Sequence, residues 1–382
     1  MISQPSSANG KLRRLVRPYY NAVRSRLLFD TSHDYRRSVF LSAGSRTGST
    51  WISELINFSR EFRFMFEPIT LFCQFATSRF APYLPDVHDG VQPYMRGAKN
   101  WLRPALDDRL LYIRPGCADA ELLRKAEEVL TGRFRHPEVD QYNYTLRLFF
   151  SKRLIKETKS NLWVRWLYKQ FPGLKIVFLM RHPIATIQSR QYTKRIKDQS
   201  IRVPYYQKLF FGQPDLVHDY LEPFRSVLEG ANSMFEQRLA IWCIQYYVPL
   251  RQFGPGEIHI AFYEDFCLDP LAAATELLTY IGEPPSKHQL ETVVERMQRP
   301  SSTAKPDASP QQSQTDRIDP MHQLKKWQTK IADEDYRCAK AMLGAFGLDR
   351  LYSVDDPLPK KDALPRMMRA QTAAAGSEKN AG

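Results

Sequence analysis

Ser38-Val39-Phe40-Leu41-Ser42-Ala43-Gly44-Ser45-Arg46-Thr47-Gly48-Ser49-Thr50-Trp51 is the stretch on which the reading of the chain turns. An apolar run ends in small residues, Arg46 follows inside a turn of glycines and hydroxyls, and Ile52, Leu55 and Ile56 recur at helical spacing. That order spells a strand, a tight loop and a helix N-terminus. Bare amides and the positive end of the helix dipole make such a corner an anion site. Gly44 and Gly48 let the backbone approach closely, while Ser45, Thr47, Ser49 and Thr50 add short donors.

Working outward, Leu174 to Met180 is the clearest buried parallel strand, and it runs into Arg181-His182-Pro183. Pro183 suits a first helical turn, Ile184 and Ile187 point inward, and Ser189 lies about two turns past Arg181. Two α/β units thus end in an arginine at a strand-to-helix corner. Phe62 to Phe66 reads as a short buried strand, and Pro68 cannot continue its ladder. Glu67 is therefore expected at a strand's C-terminal edge, where open α/β sheets place ligands. Further strands are expected over 153–157 and 258–265. Helices are expected over 119–130, capped by Asp119, over 161–171, 240–252 and 336–346, and after Asp269-Pro270, ending at Gly282.

The predicted fold class is α/β: a P-loop-like three-layer arrangement with a central, mainly parallel sheet between helices. One domain over 37–353 is the economical division. Residues 1–36 form a basic, partly helical segment in which Leu12, Leu15, Val16 and Tyr19 recur at helical spacing. That segment reads either as a helix packed on the domain or as one lying on anionic lipid. Residues 354–382 have little to bury and are expected as a disordered tail. Stretches 70–118 and 192–235 read as loops over the site, the second as a lid or acceptor wall.

Composition narrows the class without naming it. With 43% hydrophobic and 12% aromatic residues the chain can bury a substantial core, so global disorder is excluded. The net charge of +14 suits nucleic acid, an anionic membrane or a polyanionic small molecule alike. Five cysteines stand singly without metal-ligand spacing, so neither a metal centre nor a disulfide framework is expected. No run approaches the roughly 18 apolar residues of a membrane span. A cytoplasmic protein is expected, with peripheral membrane contact through the N-terminal segment as an option.

A nucleoside triphosphate is the obvious anion, yet a Walker loop needs Gly-Lys-Ser/Thr where this chain has Gly48-Ser49-Thr50. The nearby cation is Arg46. A metal-dependent phosphotransferase is disfavoured and remains the alternative. A basic membrane- or nucleic-acid-binding module stands behind it.

Arg46-Thr47-Gly48-Ser49-Thr50-Trp51 resembles the 5′-phosphosulfate loop of the sulfotransferases, which take sulfate from 3′-phosphoadenosine-5′-phosphosulfate (PAPS). Arg181-His182-Pro183 with Ser189 looks like the 3′-phosphate site of that family. Glu67-Pro68, the Leu154-Ile155-Lys156 strand, Tyr263-Glu264-Asp265 and Asp269-Pro270 occur in matching order over roughly 38–350. These features are closest to the carbohydrate branch and its bacterial relatives. The resemblance implies PAPS as donor, no metal, and a hydroxyl acceptor on a glycan, glycolipid or other small molecule, with no nucleic acid partner. It implies that Arg46 stabilises the departing phosphate and the sulfuryl oxygens, and that Thr47, Gly48, Ser49 and Thr50 hold the 5′-phosphate. Trp51 stacks on adenine or packs under the sheet. Arg181 and Ser189 hold the 3′-phosphate, His182 faces the nucleotide, and Ser301, Ser302 and Thr303 close over it. Glu67 is the first choice of general base, its pKa expected to be raised by neighbouring aromatics. Glu157 is the second, and Lys156 orients the sulfate. The acceptor is expected to be set by 70–150 and 192–235.

Overall fold

The structure, a computed structural model, describes residues 19–68, 110–143, 145–191, 210–297 and 319–369. Five parallel strands form the central sheet: β2 (Ser38–Ala43), β3 (Phe62–Phe66), β5 (Lys152–Glu157), β6 (Lys175–Met180) and β7 (His259–Phe262), in the order β3-β5-β2-β6-β7. The opening strand β2 is therefore the middle one, and the chain winds from it first to one side and then to the other. Such a reversal opens a crevice at the C-terminal ends of the strands. The loops after β2, β3, β5 and β6 all leave from that edge.

Side-chain alternation sorts the core into two layers. Phe40, Ile155, Ile176 and Phe178 face one side, under helices α3 (Ala120–Leu130), α4 (Val164–Gln170), α6 (Met234–Gln252) and α11 (Asp333–Ala345). Val39, Leu41, Leu154, Val177 and Leu179 face the other, under α2 (Ser49–Ile56) and α8 (Pro270–Tyr280). The expected three-layer α/β fold is present. Between these elements lie α5 (Pro183–Gln191), α7 (Tyr263–Leu268), α9 (Lys287–Met297) and α10 (Pro320–Lys325). The described residues start with a helix over 19–27 (α1) and end with α12 (Leu364–Arg369).

Local signals set several boundaries as expected. Asp119 accepts from the amides of Glu121 and Leu122, and Asp269 accepts from that of Ala272. Elsewhere tertiary contacts moved them. The helix expected from residue 240 starts at Met234, where Ser233 and Glu236 form a reciprocal capping box. The strand expected over 258–265 stops at Phe262, so Tyr263, Glu264 and Asp265 open α7 instead. The expected disordered tail is corrected over 354–369: Val354 and Met368 are buried, and the Lys360 amide donates to the Leu351 carbonyl at 2.8 Å. A few well-placed apolar residues, which composition averages away, dock it on α6 through Arg251 Nη1 and the Met367 carbonyl.

At the opposite, N-terminal edge of the sheet, charge is sealed in. Arg63 of β3 and Arg153 of β5, register partners, are both fully buried. Arg63 engages Asp140 at 2.9 Å and Asp30, while Arg153 reaches Asp30 at 3.2 Å and donates to Ser38 Oγ at 2.8 Å. Asp30 lies in β1 (Phe29–Asp30), which pairs in parallel with β4 (Phe149–Phe150). The network pins the N-terminal segment and the 130s loop to the sheet.

Candidate active site

The corner between β2 and α2 has the shape its residues imply. Gly48 sits at φ +90° directly before α2, and no side chain caps that terminus. A Cβ at Gly48 would come within 2.6 Å of the Tyr263 ring, so glycine is required by conformation and by space. Arg46 lies at φ +70°, uncommon for a residue with a Cβ and a mark of a constrained functional loop. Thr47 turns its hydroxyl inward to the Gly44 carbonyl at 2.7 Å, so its side chain braces the loop.

The two arginine corners meet. Arg46 Nε donates to Ser189 Oγ at 3.2 Å, and Arg181 Nη1 donates to the Arg46 carbonyl at 3.1 Å. Arg181 also lies over the Tyr263 ring at 4.1 Å, and its buried Nε has no hydrogen-bond partner among the described residues. A buried guanidinium donor left unmet is costly, and an anion would satisfy it. Trp51 packs at a tilt on Tyr263, with ring centroids 5.4 Å apart. These groups fit a ligand with two anionic centres.

Support comes from behind. Tyr246 of α6 accepts from the Gly44 amide and donates to the Leu179 carbonyl, each at 3.2 Å, tying the ends of β2 and β6 together. Trp242 Nε1 donates to the Arg181 carbonyl at 3.1 Å. Glu264, fully buried, accepts from the His182 amide at 2.8 Å and the Tyr352 hydroxyl at 3.0 Å. Its burial raises its pKa to about 7, against the pull of those donors and Arg181. His182, which the resemblance implies to face the nucleotide, is enclosed by segments from late in the chain. It is buried and stacked on Trp327, with Nε2 at 3.0 Å from the Ser353 carbonyl. Burial pushes its pKa down to about 4, so it is neutral.

The catalytic candidates divide between the two faces of β5. Lys156 is buried on one face, 4.3 Å above the Phe66 ring, and its Nζ lies 2.6 Å from Glu67 Oε1. Thr158 Oγ1 donates to the same oxygen at 3.1 Å. Glu67 holds φ +48°, a strained geometry that aims it back over β5. The expected rise in its pKa is not found. Burial pushes upward, but the charge and hydrogen bond of Lys156, helped by Lys159 and Thr158, hold it below the usual carboxylate value. Glu157, fully buried, leaves β5 on the face of Ile155, away from the Lys156–Glu67 pair.

A cleft at the same edge of the sheet is lined by Ser45, Thr158, Lys159, Thr186, Arg238 and Gln245, among others. Local sequence carries no signal for Tyr246, Arg238 or Gln245; they reach the site because α6 crosses behind β2 and β6. Ser301, Ser302 and Thr303 lie outside the described residues, as do residues 70–109 and 192–209 of the stretches expected to set the acceptor. Among the described residues no group of metal-ligating side chains is assembled.

A model of the sulfotransferase family matches residues 38–287, from the start of β2 to the start of α9. The chain belongs to that family, and it is a sulfotransferase. Among solved structures it is similar to the sulfotransferase domain of the Synechococcus PCC 7002 olefin synthase, at 17% identity and a TM-score of 0.35, over 80% of this chain and 93% of that one. It is also similar to a retinol dehydratase solved with androsterone and the inactive cofactor PAP, at 12% identity and a TM-score of 0.27, over 91% and 82%. No curated protein matches.

Proposed function

We propose that the protein is a PAPS-dependent O-sulfotransferase acting on a hydroxyl of a glycan, glycolipid or other small acceptor. The observation that carries this reading is the meeting of Arg46, Arg181 and Ser189 at the open edge of the sheet. Arg46, the amides of Thr47 to Thr50 and the uncapped start of α2 would hold the 5′ end of the donor. Arg181, through its unmet Nε, and Ser189 would hold the 3′-phosphate, and Trp51 offers a ring beside them.

The donor, when bound, supplies a sulfuryl group on a phosphate leaving group, a transfer that needs positioning and charge stabilisation more than covalent protein chemistry. Glu67 is ionised at neutral pH, and its Oε2 has no partner among the described residues, so it can accept the proton of the acceptor hydroxyl. Lys156 fixes that carboxylate and adds positive charge near the reacting oxygens. Glu157, on the other face of β5, would hold the strand rather than the proton. The basic N-terminal segment adds a contact with anionic lipid.

The test pairs binding with turnover. PAP, the desulfated donor product, should raise the thermal midpoint well above what ATP with magnesium achieves. A glycan panel with PAPS should give products heavier by one sulfuryl group. Equal stabilisation by ATP with magnesium would favour the phosphotransferase alternative.

A further inference from the structure

Helix α1 is built inside out. Ser25, buried, donates to Asp140 Oδ2 at 2.8 Å, and Arg24 donates to the backbone carbonyls of Asn143 and Thr145. Ser25 and Arg24 thus face the protein, while Arg26 stays exposed. The outward face carries Tyr19 (77% exposed), Tyr20, Val23 (58%) and Leu27. An ordinary surface helix shows the reverse pattern. The apolar surface continues past the helix into the β1–β4 ribbon, where exposed Phe29 and Phe149 stack at 5.5 Å and Leu146 is fully exposed. Arg135 lies over the Phe29 ring.

Charge says what this surface meets. The first 29 residues contain Lys11, Arg13, Arg14, Arg17, Arg24 and Arg26 and no carboxylate. Arg26 is exposed on α1, and exposed Arg133 and Arg147 stand in the segments that flank β4 and the 130s loop. A second copy of the chain would bring the same cations against one another in a two-fold contact. Nucleic acid would use the cations and leave the tyrosines, Val23 and Leu27 in water. A bilayer surface with anionic headgroups uses both: the aromatic and aliphatic side chains enter the headgroup boundary while arginines meet the phosphates.

We propose that α1 and the Phe29–Phe149 ribbon dock on an anionic lipid bilayer. This rests on the lipid-contact reading of the N-terminal segment and not on the donor chemistry, so its failure leaves the sulfotransferase assignment standing. The full chain is floated with vesicles of phosphatidylcholine, with and without phosphatidylglycerol. Binding is expected to the phosphatidylglycerol vesicles and to fall with added salt. Val23→Glu with Leu27→Glu should weaken that binding by about tenfold or more, with thermal midpoint and PAP affinity unchanged because both positions are exposed. Tyr19→Ser with Tyr20→Ser is the second variant should the first fold poorly. Absence of vesicle binding, or equal binding by the variants, overturns the proposal. Light scattering that shows a lipid-free dimer lost in the variants overturns it in favour of a second copy.

Discussion

The two ends of the parallel sheet handle charge in opposite ways. At the N-terminal edge two arginines, Arg63 and Arg153, meet two aspartates, Asp30 and Asp140, and all four are sealed from water. At the C-terminal edge Arg46 and Arg181 converge on one another, on Ser189 and on a tyrosine ring, and Arg181 keeps a buried donor unmet among the described residues. The first arrangement is satisfied by its own partners; the second leaves a buried donor that the proposed anionic ligand would meet. The contrast separates charge that orders the chain from charge that, under the proposed function, recognises a ligand, although sequence alone shows the same residue type in both.

Breaking the sealed end should have the largest effect on the fold. Arg63→Ala leaves Asp30 and Asp140 buried without their main partner, and urea denaturation should show a loss of about 3–5 kcal/mol. An equal loss of stability from Arg181→Ala would erase the distinction between the ends. Next in size, Glu67→Gln should keep PAP affinity and lower turnover by about 10²–10⁴-fold, seen in single-turnover assays. Because its folded pKa is lowered, the acid limb of the wild-type rate should fall below the usual carboxylate range. The stability from its pairing is present above the unfolded value and is lost as pH falls through the folded one.

Arg181→Ala comes third: hydrogen bonds to a charged group are worth about 1.5–3 kcal/mol, so PAP should bind about 10–100-fold more weakly by calorimetry, with a near-native thermal midpoint. A last effect concerns Glu264, whose pKa is raised from 4.5 to about 7. The folded protein holds a proton that the unfolded chain has released, so stability from this group declines as pH rises from 4.5 to about 7 and is level above. Glu264→Gln keeps an acceptor for the His182 amide and should flatten that slope in urea midpoints measured across pH. A slope unchanged by the substitution would place the titration elsewhere.

Much of the open end was legible beforehand. The β2 and β6 corners, with Arg46, Gly48, Arg181 and Ser189, stand in continuous segments whose residue types state the local geometry, and Glu67 was placed at its strand end by Pro68. The pKa of Glu67 was read in the wrong direction because the decisive neighbour, Lys156, lies across the β3–β5 register, which local sequence does not display. The surroundings of His182 are hidden from local sequence for a similar reason: Trp327, Tyr352 and Ser353 enclose it from much later in the chain. The buried quartet at the other edge was not foreseen, since its four members are scattered from residue 30 to 153 and each reads singly as a surface charge.

By itself the sequence determined the α/β class, the two arginine corners and the strand-end carboxylate, because backbone periodicity and corner chemistry are local properties. Tertiary structure alone decided that the corners touch, that Lys156 rather than solvent faces Glu67, and that α1 turns its apolar side outward. Those outcomes depend on which segments the sheet order brings together, and hydrogen-bond partners such as Asp140 for Ser25 outweigh the local preference of a helix face for the core.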